Sequence, residues 1–256
     1  MIRNKKTFGI GLMLAASFFV VLFWIFTPTF GGGMNGLQYS DDMFNKLSKG
    51  SSYFIPKVAE KNEKFNGKPF EVTITLEAKE VIESAEMLFE HAGADVTVSG
   101  NDVSIKGDLG KVLASALEDA DAMYKNDGMK VATKYGYNGG KAILAKYGGE
   151  KAEDPKAIGE KVLVSGWWHA LSKMDKKLQR DGKVAEAKMV SDVTKKAIEP
   201  GYNYYGVEAK KVAEKAGIMS GLLIFYVIYT LWFGYAVFYI FDGIGLSMTK
   251  GKKVEA

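Results

Sequence analysis

The stretch Ile218–Phe241, IMSGLLIFYVIYTLWFGYAVFYIF, runs for 24 residues without a charge. A helix rises about 1.5 Å per residue, so about 20 apolar residues cover the hydrocarbon of a bilayer, and this run is long enough to span. A second uncharged run, Phe8–Phe26, covers 19 residues near the other end. It exceeds the roughly 7–15 apolar residues of a signal-peptide core, and Thr27-Pro28-Thr29-Phe30-Gly31-Gly32-Gly33 after it offers no small-x-small cleavage site. The expectation is an uncleaved anchor. A lipoprotein is excluded, because its anchor is attached to a cysteine and the chain has none.

The fold class expected is therefore an α+β membrane protein, with one transmembrane helix at each end and a soluble region between them. Orientation follows lysine and arginine near the spans. Arg3, Lys5 and Lys6 precede the first run, and the next basic residue after it is Lys46. The second run is ambiguous: Lys210, Lys211 and Lys215 stand before it, and Lys250, Lys252 and Lys253 after it. The first run thus decides, with cytoplasmic tails at 1–7 and 242–256 and the middle outside the cytoplasm. The absence of cysteine removes disulfides, iron–sulfur clusters, thiolate zinc and covalent c-type haem. Together with the lack of an Asn-x-Ser/Thr sequon it fits the inner membrane and envelope of a bacterium. The formal charge of +4 lies in the two ends, leaving the middle neutral, which argues against nucleic acid.

Between the spans (8–26 and 217–241), region 27–67 reads as a glycine-rich exit and short helices. Ser40 is expected to cap a helix over Asp41–Lys49, and a second helix runs from about Ser52 to Phe65 with Pro56 in its first turn. Region 68–126 carries the clearest pattern. Phe70-Glu71-Val72-Thr73-Ile74-Thr75-Leu76 alternates as a half-buried strand does. Helical spacing follows from Val81 to Ala92, then strands at Asp95–Ser99 and Val103–Lys106 joined through Gly100-Asn101, then a helix carrying Leu109, Val112, Leu113, Ala116, Leu117, Ala120 and Tyr124. The order is β-α-β-β-α, a small sheet covered by helices.

Region 127–153 reads as a Gly/Lys-rich linker with a short helix near Lys141–Tyr147 and a faint echo between Lys134-Tyr135-Gly136 and Lys146-Tyr147-Gly148. Region 154–216 begins at Asp154-Pro155, an N-cap and first helical residue. Val164, Trp167, Leu171, Met174 and Leu178 recur at spacings of 3, 4, 3 and 4, a coiled-coil-like seam. Asp181-Gly182 breaks it, and a second helix with Val190, Val193 and Ala197 is expected to stop before Pro200. The pair makes an antiparallel helical hairpin. One helix is then expected from Tyr204 straight through to Phe241.

Chemistry is sparse. His91 and His169 are the only histidines and lie on separate elements. Glu118, Asp119, Asp121 and Asp127 lack the calcium-loop spacing and read as a solvated helix face. Gly136–Lys141 misses the phosphate-loop spacing and its Ser/Thr, so no nucleotide is expected. Nothing selects a catalytic carboxylate pair, and no cofactor or metal is expected. The candidate contact residues are structural. Gly217 and Gly221 form a small-residue step beside Ser220, and Gly11 and Ala15 form another. Tyr229, Trp232, Tyr235 and Tyr239 fall within about 120° of one helix face. Of Trp167 and Trp168, adjacent and so about 100° apart, either one ring enters the seam and the other marks a partner or membrane-surface contact, or both are core of a three-helix packing. Tyr202, Tyr204 and Tyr205 line either the membrane surface or the hairpin. The function these readings support is a non-catalytic accessory or scaffold subunit of a larger inner-membrane assembly, touching the bilayer and a membrane-protein partner or further copies of itself. The alternative is an envelope ligand-binding or sensing module that relays through a partner.

Overall fold

A computed structural model describes residues 2–135 and 159–246. The expected helix at Lys141–Tyr147, the Asp154-Pro155 start and the Gly136–Lys141 loop lie outside the described residues. The chain forms two compact units, residues 1–47 with 210–256 and residues 48–209. The first boundary falls within one helix, Gly36–Ser51.

The first unit pairs α1 (Lys5–Ile25) with the last helix (Val212–Gly243). Both are long and apolar enough to cross a membrane. Asn4 caps α1 by accepting from the Thr7 N–H at 3.2 Å. The two run antiparallel: the Gly243 carbonyl accepts from the Arg3 and Asn4 N–H groups, and Phe18 stacks on Tyr229 with centroids 4.2 Å apart. Close approach depends on glycine. A Cβ on Gly11 would lie 2.6 Å from the Ile240 nitrogen, and one on Gly243 would lie 2.6 Å from the Phe8 backbone. The same unit holds the first part of α2 (Gly36–Ser51). Its entrance is Asn35, not Ser40. Asn35 Oδ1 accepts from the Gln38 N–H while Gln38 Oε1 accepts from the Asn35 N–H, a reciprocal cap. Ser40 instead donates back to the Gly36 carbonyl from inside the helix.

The second unit continues with α3 (Ile55–Asn62), which starts at Ile55 rather than near Ser52 but holds Pro56 in its first turn as expected, and a 3₁₀ turn at Glu63–Phe65. Next come β1 (Pro69–Thr75), α4 (Lys79–His91), β2 (Asp95–Ser99), β3 (Asp102–Asp108) and α5 (Leu109–Tyr124). The sheet has order β1-β3-β2, antiparallel throughout, with Val72 opposite Ile105 and Ile74 opposite Val103. Its inner face buries Phe70, Val72, Ile74, Val103 and Ile105. Its outer face pairs the Thr73 and Ser104 hydroxyls at 2.9 Å, and Thr75 donates to Asp102 at 2.7 Å. Asp108 ends β3 and caps α5, one oxygen accepting from the Lys111 N–H and the other from the Gly67 N–H.

Where a linker was expected, Asp127 caps a further helix, α6 (Gly128–Lys134), by accepting from the Lys130 N–H. The hairpin follows. Its first arm, α7, is π-helical over Glu160–Trp168 and α-helical over His169–Arg180. The second, α8, runs Val184–Val193, widens into a π segment at Thr194–Ile198 and continues through Glu199–Asn203. The expected stop before Pro200 is therefore wrong. Proline lacks an N–H and its ring crowds the carbonyl four residues back. The π register just ahead changes the local hydrogen-bond pairing, so the helix passes the proline. Gly201 then lets α8 lie against α5, where a Cβ would meet the Ala120 oxygen at 2.7 Å. The wider π turn in α7 also shifts the seam: Leu163 is fully buried and Val164 only half-buried.

The single helix expected from Tyr204 to Phe241 is absent. The chain leaves helix at Asn203, turns at Gly206 (φ +78°) and is extended at Lys211 before the last helix, α9 (Val212–Gly243), begins. The helix is capped at Tyr204, and the left-handed Gly206 then closes a turn in which the Val207 N–H donates to the Tyr204 carbonyl.

We expect Gly11→Val to destabilise the α1–α9 pair by about 1–3 kcal/mol, the usual range for an overpacked contact. Gly9→Val, where a Cβ meets nothing within 4 Å, is the control. Thermal unfolding of the full chain measures both, and equal midpoints for the two variants would contradict the packing.

Candidate functional site

Lysine at the end of α2 normally reaches into solvent. Lys49 is instead only 4% exposed. Its ammonium donates to Asn126 Oδ1 at 2.9 Å, to the Tyr204 carbonyl at 3.0 Å and to the Val207 carbonyl at 2.7 Å, and it lies 5.2 Å from the Tyr124 ring centre. All three N–H bonds end on neutral oxygens. With no carboxylate to favour the charged form, burial pulls its pKa below the ordinary lysine value. Asn126 organises the acceptors. It follows α5 with φ +64°, a left-handed position that asparagine tolerates. Its Oδ1 also accepts from the Gly206 N–H, and its Nδ2 donates to the Val207 carbonyl.

Tyr124 donates its hydroxyl to the Lys49 carbonyl, and burial, with Tyr204 and Tyr53 nearby, pushes its pKa up to about 12. Tyr53 packs 5.2 Å from Tyr124 and donates to Asp121 at 2.6 Å. Lys125 bonds the other Asp121 oxygen at 2.7 Å. Two clefts meet at Tyr53. One, of about 390 Å³, is lined by Lys49, Tyr124, Lys125 and Val207. The other, of about 410 Å³, is lined by Pro56, Asn62, Leu117 and Asp121. They offer aromatic faces, ammonium groups and the carboxylates of Glu63, Glu118 and Asp121, which suits binding and orientation of a small molecule.

Below the clefts lies a buried carboxylate. Asp119 is 1% exposed. Lys134 Nζ is 2.7 Å from its Oδ1, the Trp167 indole N–H donates to Oδ2 at 2.8 Å, and the Tyr135 hydroxyl donates to the same oxygen. Lys134 also donates to Ser115 Oγ at 2.9 Å. Burial pushes Asp119 above the usual carboxylate range, against the pull of Lys134 and the two neutral donors. Burial and the adjoining carboxylate push the Tyr135 hydroxyl up as well. On the surface of the same helix Lys130 holds Glu118 at 3.1 Å and pulls its carboxyl down. The solvated-face reading of this acidic group thus fails at Asp119. Both of its oxygens are engaged, so it is a poor metal ligand, and no group of three or more His, Asp or Glu stands together among the described residues. His91 packs against Tyr135, and His169 against Trp168, each with centroids 5.0 Å apart.

The contact residues expected from sequence fall into different settings. Trp167 is core, edge-on to Phe89 at 5.1 Å. Trp168 is half-buried and donates to Glu199 at 3.0 Å, so it is not a freely presented ring. Gly11 forms the α1–α9 contact and Ala15 is half-buried. Gly217 and Gly221 have open space beside them. Tyr229 and Trp232 are half-buried, and their hydroxyl and indole nitrogen are covered without a partner. Tyr235 is 56% exposed and stacks along the helix on Tyr239. Tyr202, Tyr204 and Tyr205 pack against the core of the second unit.

Lys49, Asn126, Lys134 and Asp119 were not singled out as a site. For Asp119 a signal existed: Val112, Ala116, Asp119 and Met123 follow spacings of 4, 3 and 4, which puts the aspartate on the buried stripe. For Lys49 none existed, since its acceptors lie far along the chain. No family model, curated protein or solved structure matches the chain.

The raised pKa of Asp119 has a defined sign. The native state holds this proton more tightly than the unfolded chain, so stability falls as pH rises from the ordinary carboxylate value toward the raised one. We expect the stability of the native chain relative to Asp119→Asn to decline with pH across that window, followed by denaturant unfolding at a series of pH values. A rise would contradict the assignment.

Proposed function

We propose that the chain is a non-catalytic, membrane-anchored accessory or scaffold subunit of a larger assembly. In this reading α1 and α9 cross a bacterial inner membrane, both tails are cytoplasmic, and residues 48–209 are displayed outside the cytoplasm. Support for the crossings comes from length and apolar composition, and for the orientation from Arg3, Lys5 and Lys6 ahead of α1. One observation carries the partner. At 100° per residue Gly217, Gly221 and Tyr235 fall within about 40° on α9, beside but outside the face that α1 covers. A Cβ on either glycine meets nothing, and Tyr235 stands exposed. Small residues that let a second helix approach closely, with an aromatic hydroxyl for it to bond, suit helix association in lipid.

The test is purification of the full chain in mild detergent. A partner should co-purify in fixed ratio, and the double variant Gly217→Leu, Gly221→Leu should lose it while keeping its thermal midpoint. Recovery of the native chain alone across several detergents would count against the reading.

The clefts meeting at Tyr53 favour a second reading, an envelope module that binds a small ligand and relays through a partner. It requires a small molecule that raises the melting temperature of the full chain, a rise that Tyr53→Ala abolishes. A broad screen without any such shift would remove this reading.

A further inference from the structure

The first unit carries two depressions that are both lined by residues of α2 and α9, and they differ in character. One, of about 290 Å³, is floored by Gly31 and Gly32 and walled by Tyr39, Asp42 and Lys46 of α2 with Lys210 and Lys215. Its lining thus carries three lysines and one aspartate. Lys46 bonds Asp42 at 2.7 Å, and the Lys210 N–H donates to the Lys46 carbonyl at 3.0 Å, which holds the two segments together. The other, of about 620 Å³, is walled by Ser40 and Phe44 of α2 and by Met219, Leu222, Leu223 and Tyr226 of α9. Leu223 and Tyr226 are 66% and 65% exposed. Neighbouring α2 positions serve the two: 39, 42 and 46 face the charged depression, 40 and 44 the apolar one.

We propose that these depressions together form a binding site for an anionic phospholipid of the bilayer, headgroup among the lysines and acyl chain along the apolar groove. Two observations converge. The charged depression has a net positive lining, complementary to a phosphodiester. The groove is apolar: from Met219 to Tyr226 its α9 wall rises about 10 Å, within the roughly 15 Å of hydrocarbon in one leaflet. Lys215 precedes the uncharged run at Ile218, so the ammonium stands at headgroup level while the groove descends into hydrocarbon. Ammonium groups near a bilayer surface each favour anionic lipid by an amount equivalent to about fivefold in affinity. A zwitterionic lipid fits the groove but gains little from the lysines, and a soluble phosphodiester meets the lysines without filling the groove. The site rests on the membrane reading above and adds a ligand class to it.

The full chain in detergent is titrated with phosphatidylglycerol, with phosphatidylcholine of the same chains, and with glycerol phosphate. The readouts are thermal shift and lipid retained in native mass spectrometry. Phosphatidylglycerol should raise the midpoint and stay bound, and the other two should not. Lys210→Gln and Lys215→Gln should each weaken retention about fivefold, and Ser220→Phe, which fills the groove, should abolish it. Equal retention of phosphatidylcholine, an equal shift with glycerol phosphate alone, or unchanged retention in the lysine variants would each overturn the site. Alkaline carbonate washing of membranes separates this from the broader reading. A chain that washes off overturns the membrane assignment itself; one that stays but ignores headgroup charge overturns only the lipid site.

Discussion

A carboxylate taken out of water must find its donors inside the protein, and Asp119 draws them from elements far apart in sequence. Lys134 and Tyr135 come from the end of α6, Trp167 from the π turn of α7, and Asp119 itself from α5. An isolated buried charge costs several kcal/mol, so the arrangement is favourable only when the donors are all in place. That makes the packing of three helices a single cooperative condition. The indole N–H is directional, so bonding Asp119 also fixes the Trp167 ring, whose face receives Phe89 from α4. The helices α5, α6 and α7 are thus keyed to one carboxylate.

The π segment of α7 belongs to the same constraint. An extra residue in the turn brings Leu163 and Trp167 inward together and leaves Val164 half-buried. A regular 3-4 seam does not encode that shift, which explains why the seam residues from Trp167 to Leu178 could be read correctly while Val164 could not. Period-2 alternation in β1, the Gly100-Asn101 turn and Pro56 at the start of α3 were legible because each is a local rule. The failures share a different origin. Ser40 reads as a cap because serine is a favoured N-cap residue, whereas the true cap is the reciprocal pair of Asn35 and Gln38 five residues earlier. Pro200 looked like a stop because a π register nearby is invisible in residue order. The non-helical stretch from Tyr204 to Lys211, with its left-handed Gly206, carries no strong local break signal apart from that one glycine. At the candidate site, Asp119 stood on an apolar stripe and was discounted for its neighbours Glu118 and Asp121. Lys49 had no local sign at all.

In the first unit, small residues do two different things. Gly11, Gly243 and Ala236 admit the opposite helix. Gly217 and Gly221 admit nothing yet. The cost of the α1–α9 seam is visible in the covered Tyr229 hydroxyl and Trp232 indole nitrogen, which find no acceptor. The ring stack of Phe18 on Tyr229 and on to Phe225 offsets part of that loss.

Lys49 and Val207 are 158 residues apart, yet one hydrogen bond of 2.7 Å joins them. Contacts of such separation carry the largest loop-closure entropy and form after the local ones. Until the sheet, α5 and the hairpin have folded, the ammonium has no carbonyls to meet and stays in water. The bond is therefore a terminal event in folding, a latch that closes only on a finished unit. A chain stalled at any earlier stage would present a hydrated Lys49 without its Asn126, Tyr204 and Val207 acceptors.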